Sequence, residues 1–319
     1  MTRVRLSLIL VATLAAACTA TGSQQPTPDV DREALLADLR VLSADDMEGR
    51  LTGTAGAAKA RAYIIDRLEA SGARPFGESF EQPFTFSAPS RAGEVERTGV
   101  NIVGRVVGRA NPDRYIAITA HYDHLGAHDG RVFNGADDNA SGTAALFAIA
   151  QYFRANPPES SLLLAAVDAE EGGLLGAAAL VSDPPVPLEA VALNLNLDMI
   201  GRDPANQLFA VGTYHYPFLK PYIEQVAARA PVTLRMGHDE PGKPDVEDWT
   251  RDSDHYAFHE RGIPFIYFGV EDFGEHHQPT DDYETITHDF YVRAVETIIS
   301  AVSVFDANVE AIRRARRPR

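Results

Sequence analysis

Apolar residues recur at helical spacing in two early stretches, DREALLADLRVLS (residues 31–43) and AGAAKARAYIIDRLEASG (residues 55–72), the second stopping at Gly72. The pattern then shifts to short runs of strand character: FEQPFTF, NIVGRVV, YIAITA, SLLLAAV and AVALNLNLDMI. Helix-like GTAALFAIAQYFRAN and LLGAAALVS separate the last three of these. Farther on, QLFAVG and PFIYFGV predict strands, while PFLKPYIEQVAARA and HDFYVRAVETIISAVSVFDANVEAIRR predict helices. Strands apolar on both faces, alternating with helices, predict an α/β fold: a mostly parallel mixed sheet with helices on both faces. No internal repeat is visible and no linker divides residues 31–310, so a single compact domain is expected.

Charge narrows the partners. A formal net charge of −16 disfavours nucleic acid or an anionic membrane surface. The start of the chain follows a different logic. Arg3 and Arg5 precede the apolar run LSLILVATLAAA, which is shorter than the about 20 residues a transmembrane helix needs. Residues 1–17 are therefore expected to be a signal peptide. LAAAC resembles a bacterial lipobox, which implies that Cys18 becomes the lipidated first residue of an exported protein. The expected location is the periplasm or outer membrane, with the lipid as the only membrane contact; without that lipid the protein would be simply secreted. Cys18 is also the sole cysteine, so no disulfide forms within the chain. Residues 18–30, rich in Thr, Gln and Pro, read as a flexible tether, and the Arg-rich residues 311–319 as a basic tail.

Candidate chemistry gathers where the strands end. In open α/β sheets, ligands bind beyond the carboxyl ends of the strands. His121 and Asp123 follow YIAITA, while Asp168, Glu170 and Glu171 follow SLLLAAV. Asp198 closes AVALNLNL, His276 and His277 follow PFIYFGV, and Asp137 and Asp138 precede the helix that begins near Ala140. Each alone is explained by a cap, a solvated rim or a satisfied polar residue. Together they are not, because a carboxylate after an apolar run is costly to desolvate. Adjacent carboxylates also repel unless a cation or proton intervenes. A divalent metal cluster answers both, and histidine with carboxylate suits zinc. A serine hydrolase is disfavoured because no G-x-S-x-G elbow occurs. His255 and His259 lack the H-E-x-x-H arrangement. His124, His128, His215 and His288 read as surface or supporting residues. The polar segment from Met236 to Asp254 holds the only tryptophan and is either a binding loop or a plain surface excursion.

The motifs HYDHLG, GADDNASG, DAEEGGLLG, NLDMIG and HHQPTDD stand in one order, with SDHYAF followed by GIPFIYF as a softer match. Across residues 95–290 they resemble the co-catalytic di-zinc aminopeptidase family, the secreted bacterial leucine-aminopeptidase type. The resemblance implies a zinc exopeptidase-like fold, two Zn2+ ions per chain and removal of N-terminal residues from peptides with a free N-terminus. It further implies that His121 and Asp198 hold one zinc, Glu171 and His277 the other, and that Asp138 bridges them. Asp123 would orient His121, and Glu170 would be the general base towards a water shared by the metals. Asp137 stays open as the alternative to Asp138, and His276 to His277, although the H-x-P-x-D spacing of His277, Pro279 and Asp281 favours His277.

Residues 72–112 are too few for the extra domain that longer members insert before HYDHLG. Tyr256 and Tyr267 are candidates to stabilise an oxyanion. Arg202 is either a substrate-carboxylate partner or half of a structural ion pair. Glutaminyl cyclases look similar in fold and keep related HYD and EE motifs, but GGLLGAAAL looks more like the peptidases. Carboxypeptidase or dipeptidase activity and a non-catalytic peptide-binding lipoprotein complete the alternatives.

Overall fold

The computed structural model describes residues 28–90 and 93–316. The expected signal peptide, the lipidation site Cys18 and the tether as far as residue 27 lie outside the described residues. Two side-chain caps start the fold. Asp31 accepts from Ala34 N at 3.0 Å to open α1 (Arg32–Leu42), and Thr54 accepts from Ala57 N at 3.3 Å to open α2 (Ala55–Ala70). The strands that follow are β1 (Arg74–Pro75), β2 (Glu81–Ser90), β3 (Gly93–Val106) and β4 (Asn111–His121). A small ribbon of β5 (Gly126–His128) and β6 (Arg131–Phe133) leads to α3 (Gly142–Ala155), β7 (Ser160–Val167), α4 (Leu175–Ser182) and β8 (Val191–Leu197). The chain continues through β9 (Gln207–Val211), α5 (Lys220–Ala227), β10 (Thr233–Met236), α6 (His255–Glu260) and β11 (Phe265–Gly269). It ends in α7 (His288–Asp306) and α8 (Val309–Arg316).

Four strands in the order β7–β4–β8–β11 run parallel and form the centre of the sheet. Antiparallel neighbours flank them: β3 beside β7, and β9 beside β11. The alternation of side chains then sorts the core. In β7, Leu162, Leu164 and Ala166 join one apolar layer with α1, α2, α3, α5 and α7. Leu163, Ala165 and Val167 face the other, under α4 and α6. Both faces are thus covered, which is why these strands are apolar at nearly every position. From β4 the chain crosses through α3 to β7 on one side, then through α4 to β8 on the other. That reversal opens a crevice at the carboxyl end of β4.

Four boundaries differ from expectation. β2 and β3 pair over ten positions, from Glu81↔Ile102 to Ser90↔Gly93, well beyond the apolar runs. Residues 93–98 are mostly exposed, so this far part of the ribbon carries no apolar signature. The predicted terminal helix is two helices, broken at Ala307 and Asn308, with the Asn308 carbonyl accepting from Ala311 N at 3.0 Å. The basic tail expected from residue 311 is corrected as far as Arg316. Val309 and Ile312 of α8 are buried, and the Arg316 guanidinium donates to the carbonyls of Val191 (2.8 Å) and Gly262 (2.9 Å). At the other end Val30, placed in the tether, packs into the core.

Candidate metal centre

His121 is the last residue of β4 and Asp198 the first after β8, so adjacent parallel strands deliver both to one edge. His121 Nε2 lies 3.2 Å from Asp198 Oδ1 and 3.2 Å from Asp138 Oδ1. Glu170 and Glu171 follow β7 on the other side of β4. His276 and His277 come from the segment after β11. His277 Nε2 stands 2.8 Å from Glu171 Oε2 and 3.4 Å from Asp138 Oδ2, whereas His276 Nε2 is 3.5 Å from Asp138 Oδ2. Among the described residues three groups bring ligand atoms within 4.8 Å of one another: His121, Asp138 and Asp198; Asp138, His276 and His277; His124, Asp138 and Glu171. Asp138 belongs to all three.

Asp138 sits in a turn over Ala136–Ser141 that the fold pins from several directions. Asp281 accepts from the backbone nitrogens of Asp137 (2.9 Å) and Asp138 (3.0 Å). Asn139 Nδ2 donates to Leu197 O at 2.8 Å, tying the turn to the residue before Asp198. Gly135 enters the turn at φ 52°, where an added Cβ would meet Asp138 O at 2.0 Å, so only glycine fits. Asp137, the alternative to Asp138, points elsewhere and accepts from Gly201 N at 2.6 Å. Beneath the turn lies Arg50, whose guanidinium is fully buried. It donates to the carbonyls of Tyr122 (2.7 Å), Leu42 (2.6 Å), Asn134 (2.6 Å) and Gly135 (2.9 Å). One side chain thereby joins the strand end carrying His121 to the turn carrying Asp138. Burial pushes its pKa down to about 10, against the pull of Asp138, Asp281, Asp123 and Glu171, so it stays cationic at neutral pH.

Asp123 meets His121 through its backbone rather than through its carboxylate. Its backbone carbonyl lies 3.1 Å from His121 Nδ1, while its carboxylate oxygen is 3.7 Å away. The carboxylate accepts instead from Glu170 N (3.0 Å) and Glu171 N (3.3 Å), holding the loop that presents both glutamates. Asp168 faces away from the cluster and accepts from Thr52, Tyr122 and Val100.

The electrostatics suit a cation. Burial works against ionising Asp138, but His124 and His121 outweigh it and hold the carboxyl well below its usual range. Glu171 is likewise lowered to about 2, burial being overcome by its bonds to His124 and His277. Burial also opposes a charged His121, yet Asp198 and Glu170 keep its pKa well above 6.5. Glu170 is the exception: burial pushes its carboxyl well up. Asp138 Oδ2 and His124 Nε2 are buried and find no hydrogen-bond partner among the described residues. A nitrogen-and-oxygen donor set with an unmatched buried lone pair fits zinc.

Sequence reasoning missed four residues. Among the described residues Arg50 bonds only to backbone carbonyls, which leave no mark on residue type. His124 is fully buried with Nδ1 2.7 Å from Glu171 Oε1, although its neighbours in HYDHLG hinted at it. Asp281 was read only as part of a spacing pattern. Asp254, inside SDHYAF, is fully buried with both oxygens unpartnered among the described residues, and burial pushes its carboxyl up to about 8.

Comparison with known proteins places this cluster. Residues 101–302 match Peptidase family M28. The chain belongs to peptidase family M28. Aminopeptidase YwaD of Bacillus subtilis (strain 168) is 27% identical over 239 residues, covering 70% of this chain and 47% of that protein. A probable glutamate carboxypeptidase VP8 of Zea mays is 32% identical over 197 residues, covering 57% of this chain and 26% of that one. The M28 chain thus spans less than half the length of these relatives. Its fold is that of a zinc aminopeptidase from Bacillus subtilis, with TM-score 0.71, 17% identity and coverage of 88% of this chain and 96% of the other. It also matches Bacteroides thetaiotaomicron glutaminyl cyclase, with TM-score 0.69, 19% identity and coverage of 87% and 99%.

A cavity of about 600 Å3 opens over the M28 cluster, with Glu170, Met199, Trp249 and Tyr267 among its lining residues. Of the two tyrosine candidates, Tyr267 reaches this cavity and burial keeps its phenol protonated. Tyr256 packs instead beneath Arg251, 5.0 Å from its ring centroid. Arg202 pairs with Glu275, beside His276.

Proposed function

We infer that this chain is a zinc-dependent aminopeptidase that binds two Zn2+ ions and acts on peptides with a free N-terminus. The observation that carries this reading is the position of Asp138, with one oxygen 3.2 Å from His121 in the group with Asp198 and the other 3.4 Å from His277, which itself meets Glu171 at 2.8 Å. Asp138 would hold one ion with His121 and Asp198 and help hold a second with His277 and Glu171, and a pair of ions so placed would suit hydrolysis. When bound, the zinc ions supply Lewis acidity that acidifies a water and polarises the scissile carbonyl. Glu170 takes the proton of the attacking water and returns it to the departing amine nitrogen. Its raised pKa is the direction a group needs if it is to do both. Asp123 steadies that exchange by fixing the backbone of Glu170 and Glu171.

The deciding assay uses chelator-stripped protein with and without added zinc on a panel of aminoacyl-anilides and their N-acetylated forms. Zinc-restored cleavage confined to the free amines is expected. Turnover of blocked substrates, or cyclised product from Gln-initiated peptides without hydrolysis, would sink the reading. We also propose export with a lipid on Cys18, supported by the LAAAC motif. Cys18→Ala should abolish labelling by a fatty-acid probe in cells.

A further inference from the structure

The long loop between β10 and α6 is closed at a neck. Trp249 N donates to His238 O at 2.8 Å, and His238 Nδ1 lies 3.1 Å from Glu247 O. The two rings stack at 3.8 Å with 17° between their planes, and Phe209 meets the indole edge-on at 5.6 Å. Residues 240–245 beyond the neck are exposed, while His238 and Trp249 are buried. Asp239 roots the neck in the sheet, accepting from Gly212 N (2.7 Å) and Tyr214 N (2.9 Å) at the end of β9. His238 itself adopts φ 56°, a conformation that glycine or asparagine reaches at lower cost, so its ring contacts offset local strain.

The remaining nitrogen of that ring points to a second loop. His238 Nε2 is 3.1 Å from Glu271 Oε1. Glu271 stands between Val270 and Asp272, and all of Glu247, Trp249, Val270, Asp272, His276 and His277 line the cavity over the cluster. We propose that His238 is a positioning residue: it clamps Trp249 as a wall of the substrate cavity and, through Glu271, latches that wall to the segment carrying His276 and His277. A change at the segment carrying His276 and His277 is then felt at the wall. This inference rests on the zinc-peptidase reading above.

Trp249 is the only tryptophan in the chain, so its emission reports the wall directly. Glu271 is half-exposed, and its replacement leaves the core untouched. Zinc ion is titrated into chelator-stripped full-length protein, wild type, Glu271→Ala and His238→Phe, following fluorescence and zinc content together. Zinc should shift the wild-type emission, and both variants should lose at least about half of that shift at unchanged zinc content. On Leu-anilide the variants should raise KM about five- to tenfold with kcat within about twofold, the scale of one lost hydrogen bond. Zinc uptake with an unmoved wild-type emission, or a full-size response in both variants, overturns the latch alone. A wild-type protein that takes up no zinc overturns the parent reading and this one with it.

Discussion

The floor and the wall of the cavity are built by different means. The floor, where β4 and β8 end, is held by buried charge and backbone: Arg50 on four carbonyls, Asp281 on two amides, Asn139 on Leu197. The wall is rooted by Asp239 on two amides and one backbone bond, but its exposed side depends on an aromatic stack and on an imidazole that reaches a half-exposed glutamate. Ligand atoms must keep their separation within a fraction of an ångström, and only donors with several fixed partners do that. A wall that meets varied peptides needs the opposite, a few contacts that release at low cost. The contrast says that damage to the floor should act on metal, chemistry and stability together, whereas damage to the wall should act on substrate binding.

The sharpest way to break that division is Glu170→Gln. Loss of about 10²–10⁴ in kcat is expected with zinc content near wild type, the usual range for removing a general base. Parallel loss of zinc would make Glu170 a ligand. Next comes Arg50→Met, which strands buried carbonyls among buried carboxylates. A destabilisation of about 3–5 kcal/mol is expected, from urea unfolding of chelator-stripped protein. A change under about 1 kcal/mol would mean that the floor does not depend on this cation. Asp281→Asn leaves one acceptor for two amides and should cost about 1–3 kcal/mol, with weaker zinc retention against a competing chelator. The smallest effect is on the wall. Replacing residues 241–245 by two glycines should leave global stability within about 0.5 kcal/mol, because that tip is exposed. A larger fall in Tm would show that the tip supports the neck.

Much of the floor was legible because strand ends carry their chemistry in residue type. His121, Asp198 and Glu171 each follow an apolar run, and the structure brings all three together with Asp138 and His277. The supports were not legible for the same reason in reverse. Arg50 is bound by carbonyls from residues 42, 122, 134 and 135, and any sequence supplies carbonyls. The far half of the β2–β3 ribbon faces water and so lacks the alternation that marks a buried strand. The end of α8 was read as a tail because Arg313, Arg314 and Arg316 crowd it, although Val309 and Ile312 suffice to dock the helix. The neck of the loop depends on a ring stack between residues eleven apart, His238 and Trp249, which no helical or strand period predicts.

The bond from Asp281 to the Asp138 turn spans 143 residues, and its neighbour on Asp137 spans 144. An emerging chain therefore presents His121, Asp138 and Asp198 long before the group that sets their turn exists. Contacts of such separation form late, since the loop they close must be ordered first. The turn carrying Asp138 should accordingly set late, and a chain cut short of Asp281 lacks the acceptor that pins it.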